Sequence, residues 1–396
     1  MTDEAPILIA GGGIGGLALA LALARRGRAS IVLERQQALE AAGAGIQLGP
    51  NGVRALASLG LAEALKPRVG EPEAIEVFAG VSGRRLARLP LGGWIAARHG
   101  APYWVVHRSD LHRVLAEAAA ADPLVEIRTA FEVASAAQTA SEVTVEANDG
   151  RSIAGPVLVG ADGLWSVVRR AVAPESAPPR PAGAAAARTV IPIEAAGPLP
   201  AKCVGLWLGA EAHVVHYPVR AGREIAVTVI AREAWQGRAW DAHADAGALQ
   251  QRLAPFHASL AQVLVPGAGS GHAWRKWALH TLSPLASWSH GRTVLIGDAA
   301  HPMLPYLAQG GALAMEDAVA LADCVHNHAD AAAALALFHS LRRDRALRVQ
   351  AASARQGRIY RLAPPLSWAR DATLALAPAH WLMAQFDWLY GWRPPG

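Results

Sequence analysis

Cysteine is nearly absent from the chain: Cys203 and Cys324 are the only two in 396 residues, far apart and in no CxxC spacing. That excludes a disulfide framework and a thiolate zinc site, and it leads us to expect a cytoplasmic protein with no bound metal. Charge is also sparse, at 17% against 52% hydrophobic residues, which excludes a disordered chain and leaves a compact one long enough for two or three domains. The net charge is +5, yet the arginines are scattered apart from one C-terminal cluster. Such scatter suits an anionic small molecule or nicotinamide phosphates better than a nucleic-acid groove. One long stretch without charge, Ile7 to Ala24, carries five glycines and follows Asp3 and Glu4 where a signal peptide has basic residues. It therefore reads as neither a signal peptide nor a membrane span.

What that stretch does contain organises the chain. ILIAGGGIGGLALALALARRGRASIVLER, from Ile7 to Arg35, predicts a strand, a tight glycine turn, a helix and a second strand closing on Glu34. Gly11 permits the turn, Gly13 lets a diphosphate approach the backbone, and Gly16 lets the helix press on the strand, with Ile14 and Gly15 completing the loop. The helix N-terminus presents unsatisfied N–H groups and a positive dipole end to that diphosphate. Glu34 falls about 20 residues further on, where a carboxylate accepts from both hydroxyls of an adenosine ribose. A 2′-phosphate would be repelled there, so the nucleotide is of the NAD or FAD kind.

Further along, Gly43 to Leu61 reads as a glycine segment followed by a helix that starts at Pro50–Asn51 and ends at Gly60. Short alternating runs between Pro72 and Gly100 read as strands leaving the first domain. WVVHRSDLHRVLAEAAA returns as a strand, Arg108, a Ser109–Asp110 cap and a helix, with Arg108 where strands meet ligands. Runs at 125–129 and 143–147 with the turn Asn148–Gly150 suggest a hairpin. PVLVGADGLWSVVRR is a buried strand ending at Asp162–Gly163, then a helix with Ser166 and Arg169. RTVIPI, VGLWLG, HVVHYPV and EIAVTVIA read as antiparallel strands of a second domain, and 244–264 as a helix kinked or split at Pro255. GAGSG at 267–271 reads as a linker. GRTVLIGDAAHPMLPYLAQGG ends a buried strand at Gly297–Asp298, and Gly310–Gly311 open a long apolar helix. The remainder is helical and Ala-rich, with an aromatic tail that reads as a docking helix or an interfacial anchor.

Three stretches together, the glycine turn with Glu34, ADGLWSVVR and GDAAHPMLPYLAQGG, resemble the single-component FAD-dependent aromatic hydroxylases, the para-hydroxybenzoate hydroxylase family. In pattern they are most similar to its 3-hydroxybenzoate 6-hydroxylase, 6-hydroxynicotinate 3-monooxygenase and salicylate hydroxylase branch. The resemblance implies an α/β (α+β) fold in which a Rossmann-like FAD-binding domain (1–72, 97–175, 272–330) interleaves with an antiparallel-sheet substrate domain (73–96, 176–271), followed by a C-terminal helical segment (331–396). It implies that Glu34, with Arg35 beside it, binds the ribose and that Arg108 and Asp298 lie along the diphosphate and ribityl chain. Pro305, Gly310 and Gly311 would border the isoalloxazine, Gln47 would line the pocket from the loop near the flavin, and Asp162 and Arg169 would support FAD and docking of NADH or NADPH. The sequence has no second glycine-rich strand-turn-helix, which fits a reductant that visits transiently.

The implied reaction uses NAD(P)H and O2 to form a flavin C4a-hydroperoxide that hydroxylates a phenolic or N-heteroaromatic, carboxylated ring. In HVVHYP, side chains alternate, so His213, Val215 and Tyr217 share a face. The resemblance gives His213 and Tyr217 base or hydrogen-bonding roles, and His301 is a second candidate for the substrate's hydroxyl or carboxylate. No arginine is assignable to that carboxylate. Competing readings are a dehydrogenase or halogenase on the same scaffold, for which the WxWxIP pattern is missing, and a hydroxylase of a lipidic quinone precursor with weak membrane contact through the C-terminus. The expected partner is a small aromatic substrate, not nucleic acid, with the chain a monomer or homodimer.

Overall fold

The computed structural model describes residues 5–40, 43, 45–235, 241–264 and 274–395. In chain order the strands are β1 Ile7–Ala10, β2 Ser30–Leu33, β3 Gly45–Leu48, β4 Ala74–Ala79, β5 Arg85–Pro90, β6 Trp104–His107, β7 Val125–Arg128, β8 Val133–Gln138, β9 Val143–Ala147, β10 Ser152–Gly155 and β11 Leu158–Gly160. They continue as β12 Arg180–Pro192, β13 Cys203–Leu208, β14 Ala212–Val219, β15 Glu224–Arg232, β16 Asp241–His243, β17 Arg275–Thr281, β18 Ser289–His290 and β19 Thr293–Leu295. The helices are α1 Ile14–Ala24, α2 Pro50–Ser58, α3 Ala62–Leu65, α4 Gly92–His99, α5 Arg108–Ala121, α6 Arg169–Val172, α7 Ala246–Leu253, α8 Ala258–Leu264, α9 Gly310–Asn327, α10 Ala331–Tyr360, α11 Leu366–Leu376, α12 Ala379–Ala384 and α13 Asp387–Tyr390.

Two sheets set the architecture among the described residues. The first runs β18-β19-β11-β1-β2-β7, with β19, β11, β1, β2 and β7 parallel to one another and β18 antiparallel to β19. Its central strand, ILIA, is apolar throughout and wholly buried, as a parallel strand covered on both faces must be. α1 is buried along nearly its whole length between this sheet and α5 and α9, which explains why its Ala-Leu run has no polar face. Gly16 makes that approach feasible, since a Cβ there would stand 1.9 Å from Gly11 O. The second sheet runs β16-β17-β12-β15-β14-β13-β4-β5. It is antiparallel except where β13 meets β4, so the segment 74–90 joins the strands of 180–281 across a long gap in sequence.

Local expectations meet the structure unevenly. Val125–Arg128 is no hairpin arm: it pairs in parallel with β2 at the edge of the first sheet, and the turn at Asn148–Gly150 instead joins β9 to β10. Both runs have strand composition, and composition alone does not name the partner. The segment after Asp162 holds only the short α6, and 92–99 is a helix where strands were expected. The N-cap of α5 is His107, whose ring accepts from Ser109 N, two residues before the Ser109–Asp110 cap. The helix read at 244–264 is split at Pro255 into α7 and α8. The GAGSG stretch lies outside the described residues.

Candidate active site

The glycine turn between β1 and α1 has the open amides that could cradle a diphosphate. Gly13 caps α1 without any side-chain hydrogen bond, leaving the first-turn amides for a ligand, and nothing lies within 4 Å of where a Gly13 Cβ would stand. Ile14 is buried behind the turn, and Gly15 faces Ala314 of α9. Glu34 accepts from Gly12 N at 2.8 Å through Oε2 and from Gln36 N at 2.9 Å through Oε1. Each oxygen keeps a lone pair for a ribose hydroxyl. Arg35 is exposed beside it. One residue here escaped the sequence reading: His112, one helical turn beyond Arg108, donates from Nε2 to Gly12 O at 2.8 Å. The i, i+4 spacing to Arg108 was the available signal.

Arg108 packs its stem against Gly43, whose Cβ would lie 3.0 Å from Arg108 Cδ. Burial lowers its guanidinium pKa, and the opposing influence comes from Asp298. Asp298, exposed to the cleft, has its own carboxyl pushed up by enclosure in protein, against the pull of His301, Arg108 and Arg169. Sequence-distant residues of opposite charge thus influence each other along the cleft.

Arg169 is committed to the protein itself, and Asp162 commits one oxygen while its Oδ1 is buried without a partner. Asp162 Oδ2 accepts from Val167 N at 2.7 Å and Val168 N at 3.2 Å, closing the turn after β11. Arg169 is 5% exposed and donates to Ala299 O at 2.8 Å, to Leu164 O at 2.9 and 3.0 Å, and to Asp298 O at 3.3 Å. It clamps the Asp-Gly turn to the Gly297–Ala299 turn, so it reaches any dinucleotide only through those turns.

His301 also departs from the expectation of substrate contact. It is 2% exposed, lies off the cavity wall, packs its ring 4.8 Å from that of Trp288 and donates from Nε2 to Asp317 Oδ2 at 2.6 Å. The turn at Gly297–Ala299 carries it inward toward α9.

The cavity itself measures about 770 Å3. Its nucleotide side is bordered by Gln47, Asp298, Pro305, Gly310 and Gly311. Gln47 is held by Tyr103, whose hydroxyl donates to Gln47 Oε1 at 2.6 Å. The N-terminus of α9, capped by Gln309 without a side-chain bond, again offers open amides at Gly310–Gly311. Its opposite wall is the second sheet, where His213, Val215 and Tyr217 project from β14 onto one face as alternation requires. His213 is 1% exposed, its ring lies 5.5 Å from Tyr306 and 5.2 Å from Tyr360, and its Nδ1 is buried without a partner. Burial, with Arg361 nearby, lowers its pKa to about 3. Burial likewise pushes the Tyr217 phenol up, with Arg188 opposing. Val77, Val204, Leu206, Leu208 and Ile230 complete an apolar floor. The uncapped turn, Glu34, Arg108 with Asp298 and a cavity of this size fit FAD, with room left for a single-ring ligand.

Comparison with known proteins agrees with that geometry. The model of a family described as "FAD binding domain" matches residues 4–356. The chain is 36% identical to 3-hydroxybenzoate 6-hydroxylase of Klebsiella oxytoca over 98% of its own length and 96% of that protein. It is 32% identical to 6-hydroxynicotinate 3-monooxygenase of Pseudomonas fluorescens over 88% and 90%. Among solved structures, a salicylate hydroxylase substrate complex superposes with a TM-score of 0.84 at 24% identity, covering 99% and 96% of the two chains, a likeness of fold. Klebsiella pneumoniae HpxO complexed with FAD and uric acid gives 0.84 at 25%, covering 98% and 97%. The chain belongs to the FAD-binding-domain family, and with it to the FAD-dependent aromatic monooxygenases that draw on NAD(P)H and O2.

Proposed function

We propose that this enzyme hydroxylates a single aromatic ring carrying a hydroxyl group and a carboxylate, of the hydroxybenzoate or hydroxynicotinate kind. The observation that carries the reading is the pairing of His213 and Tyr217 on one strand face, across an apolar cavity from the Gly310–Gly311 amides. Relatives bearing the names of such acids span nearly the whole chain.

When bound, FAD supplies the redox chemistry, taking reducing equivalents from NAD(P)H and activating dioxygen. The chain's own residues do the rest. A phenol attacks an electrophilic oxygen better as its proton is drawn away, and His213, neutral at working pH, accepts a hydrogen bond from the substrate hydroxyl. Tyr217, its phenol kept protonated by burial, donates to the same oxygen as negative charge grows there. Gln47, oriented by Tyr103, fixes the ring edge. Leu206, Leu208 and Ile230 exclude water, so reducing equivalents go into the ring and not into hydrogen peroxide. Asp298, Arg108 and Glu34 hold the nucleotide, and Asp162 and Arg169 hold the turns that position Asp298.

Stimulation of NADH or NADPH oxidation by a panel of hydroxybenzoates, hydroxynicotinates and anthranilates tests the reading. Stimulation confined to hydroxylated ring acids supports it, and stimulation by none of them overturns it. A second reading is favoured by one observation, the exposed apolar face of α11 and α12: Leu366, Trp368, Leu376 and Trp381 are 61%, 67%, 84% and 53% exposed beside the cavity mouth. On that reading a more lipophilic ring enters from a membrane surface, although none of the described helices is long and apolar enough to cross one. Co-sedimentation with anionic liposomes that is lost on removing residues after Pro364 would support it.

A further inference from the structure

The inner stretch of β12, Ala184–Pro192 (AAAARTVIP), is apolar but for Thr189 and one cation, Arg188. The register of the second sheet shows where that side chain goes. Arg188 pairs with Thr228, Thr228 with Val215, Val215 with Leu206, and Leu206 with Val77, and all five line the cavity. The row passes between His213 and Tyr217, which flank Val215 on β14. Arg188 therefore stands on the same floor as those two, displaced sideways by two interstrand spacings, about 10 Å between Cα positions.

The guanidinium is poorly matched where it stands. It stacks over Trp277 with Cζ 5.5 Å from the ring centroid, and its Nε is buried with no hydrogen-bond partner. Across the strand pair its direct neighbour is another arginine, Arg275. The ionisable groups that influence it are Tyr217 and Arg108, and no carboxylate is among them. An arginine does not shed its proton, so an enclosed guanidinium without a counter-ion is costly and calls for an anion. The other cavity-lining arginine among the described residues, Arg370, is already committed to Asp371 at 2.8 Å and to the carbonyls of Ile359 and Tyr360 at 3.1 and 2.9 Å.

We propose that Arg188 is the carboxylate subsite of the cavity: it receives the acid group of the aromatic substrate while His213 and Tyr217 take the ring hydroxyl. The inference rests on the reading of the cavity as the site of an aromatic hydroxy acid. A planar guanidinium braced by an indole can offer two parallel N–H donors to a carboxylate, a geometry a lysine does not reproduce. The lateral offset between the two ends fixes which ring carbon faces the flavin side, so Arg188 sets regiochemistry as well as affinity.

The test uses the FAD-loaded enzyme and a matched pair of ligands, a hydroxybenzoate and the corresponding hydroxybenzamide, with binding read from perturbation of the flavin absorbance and turnover from product formation. The wild type should bind the acid much more tightly than the amide. Arg188→Gln should weaken the acid about a hundredfold and the amide little, with FAD content and FAD affinity retained. Arg188→Lys should recover part of the acid preference. Equal loss for acid and amide, or an acid preference that survives in Arg188→Gln, overturns the assignment while leaving the hydroxylase reading intact. A loss of FAD affinity in either variant overturns it in favour of a flavin contact. Should Arg188→Gln fail to fold, the wild-type preference and Arg188→Lys decide. A wild type that neither binds nor turns over any aromatic acid overturns this proposal and the proposed function together.

Discussion

His301 Nε2 lies 2.6 Å from Asp317 Oδ2, and both side chains are buried under the long C-terminal helix. Asp317 also accepts from Gly297 N at 3.0 Å and from Arg342 Nε at 2.8 Å. Burial pushes its carboxyl up, but His301 and Arg342 outweigh burial and hold it at about 2. The carboxylate beside it, Glu316, joins Arg342, Arg345 and Asn51, and Asn51 in turn donates to Gln309, the N-cap of α9. A buried ionic network thus ties both turns that face the flavin side to α10.

Removing one member of that network strands its partners. Asp317→Ala is expected to cost about 3–5 kcal/mol of stability, because it leaves Arg342 Nε and the His301 N–H buried without an acceptor. It should also lower the FAD content, since the Gly297 amide that sets Asp298 loses its anchor. Urea denaturation with flavin absorbance per mole of protein checks both. His301→Asn should lower stability yet leave KM for the aromatic substrate close to wild type, as expected of a residue off the cavity wall.

Glu34 offers a cleaner measure of nucleotide binding. Glu34→Ala removes a charged acceptor from the Gly12 amide and from the ribose hydroxyls. At about 1.5–3 kcal/mol for hydrogen bonds to a charged group, the FAD dissociation constant should rise roughly ten- to a hundredfold. Fluorescence titration of the apoprotein with FAD reads it directly.

The low pKa of His213 makes a kinetic prediction. At about 3, the imidazole stays neutral throughout the working range, so kcat/KM should show no limb near 6.5 from this residue. His213→Ala should retain FAD and slow hydroxylation by about 10²–10⁴-fold, with the lost turnover appearing as hydrogen peroxide. Product formation and peroxide release, followed together across pH 5–9, test this. Normal coupled turnover in the variant would remove His213 from the reaction.

The same depression affects stability. His213 and His216 fall to about 3 and about 4 in the folded chain from 6.5, driven mainly by burial, and neither ring nitrogen of His216 has a partner. Below 6.5 the unfolded chain takes up protons that the folded one refuses, so their contribution is fully present above that pH and is lost as pH falls toward 3–4. The melting temperature should therefore drop between pH 7 and pH 5. His216→Leu, which removes one of the two groups, should flatten that slope in a series of melts.

Much of this was legible in the sequence because it is local. The glycine turn, Glu34 about 20 residues on and the two-residue alternation through His213 and Tyr217 are short-range patterns, and the structure places each on the element expected of it. What was hidden depends on partners distant in the chain. Arg169 and His301 follow the same motifs that promised ligand contacts, yet their side chains turn inward because Ala299 O and Asp317, 130 and 16 residues away, offer better partners. Val125–Arg128 has strand composition, but only the sheet decides between a hairpin arm and a parallel edge. Arg188 carried a readable signal as the one cation in the run Ala184–Pro192, but its place on the cavity floor depends on the register of five strands.

The central claim is that the cavity directs one atom of dioxygen into a hydroxylated ring acid. The most direct measurement is turnover under 18O2 with NADH or NADPH and a panel of hydroxybenzoates and hydroxynicotinates, with mass analysis of the products. The account predicts a product carrying one 18O atom, formed in near-stoichiometric ratio to NAD(P)H oxidised. Oxidation that no ring acid stimulates, or that yields only hydrogen peroxide with the ring unchanged, would contradict it.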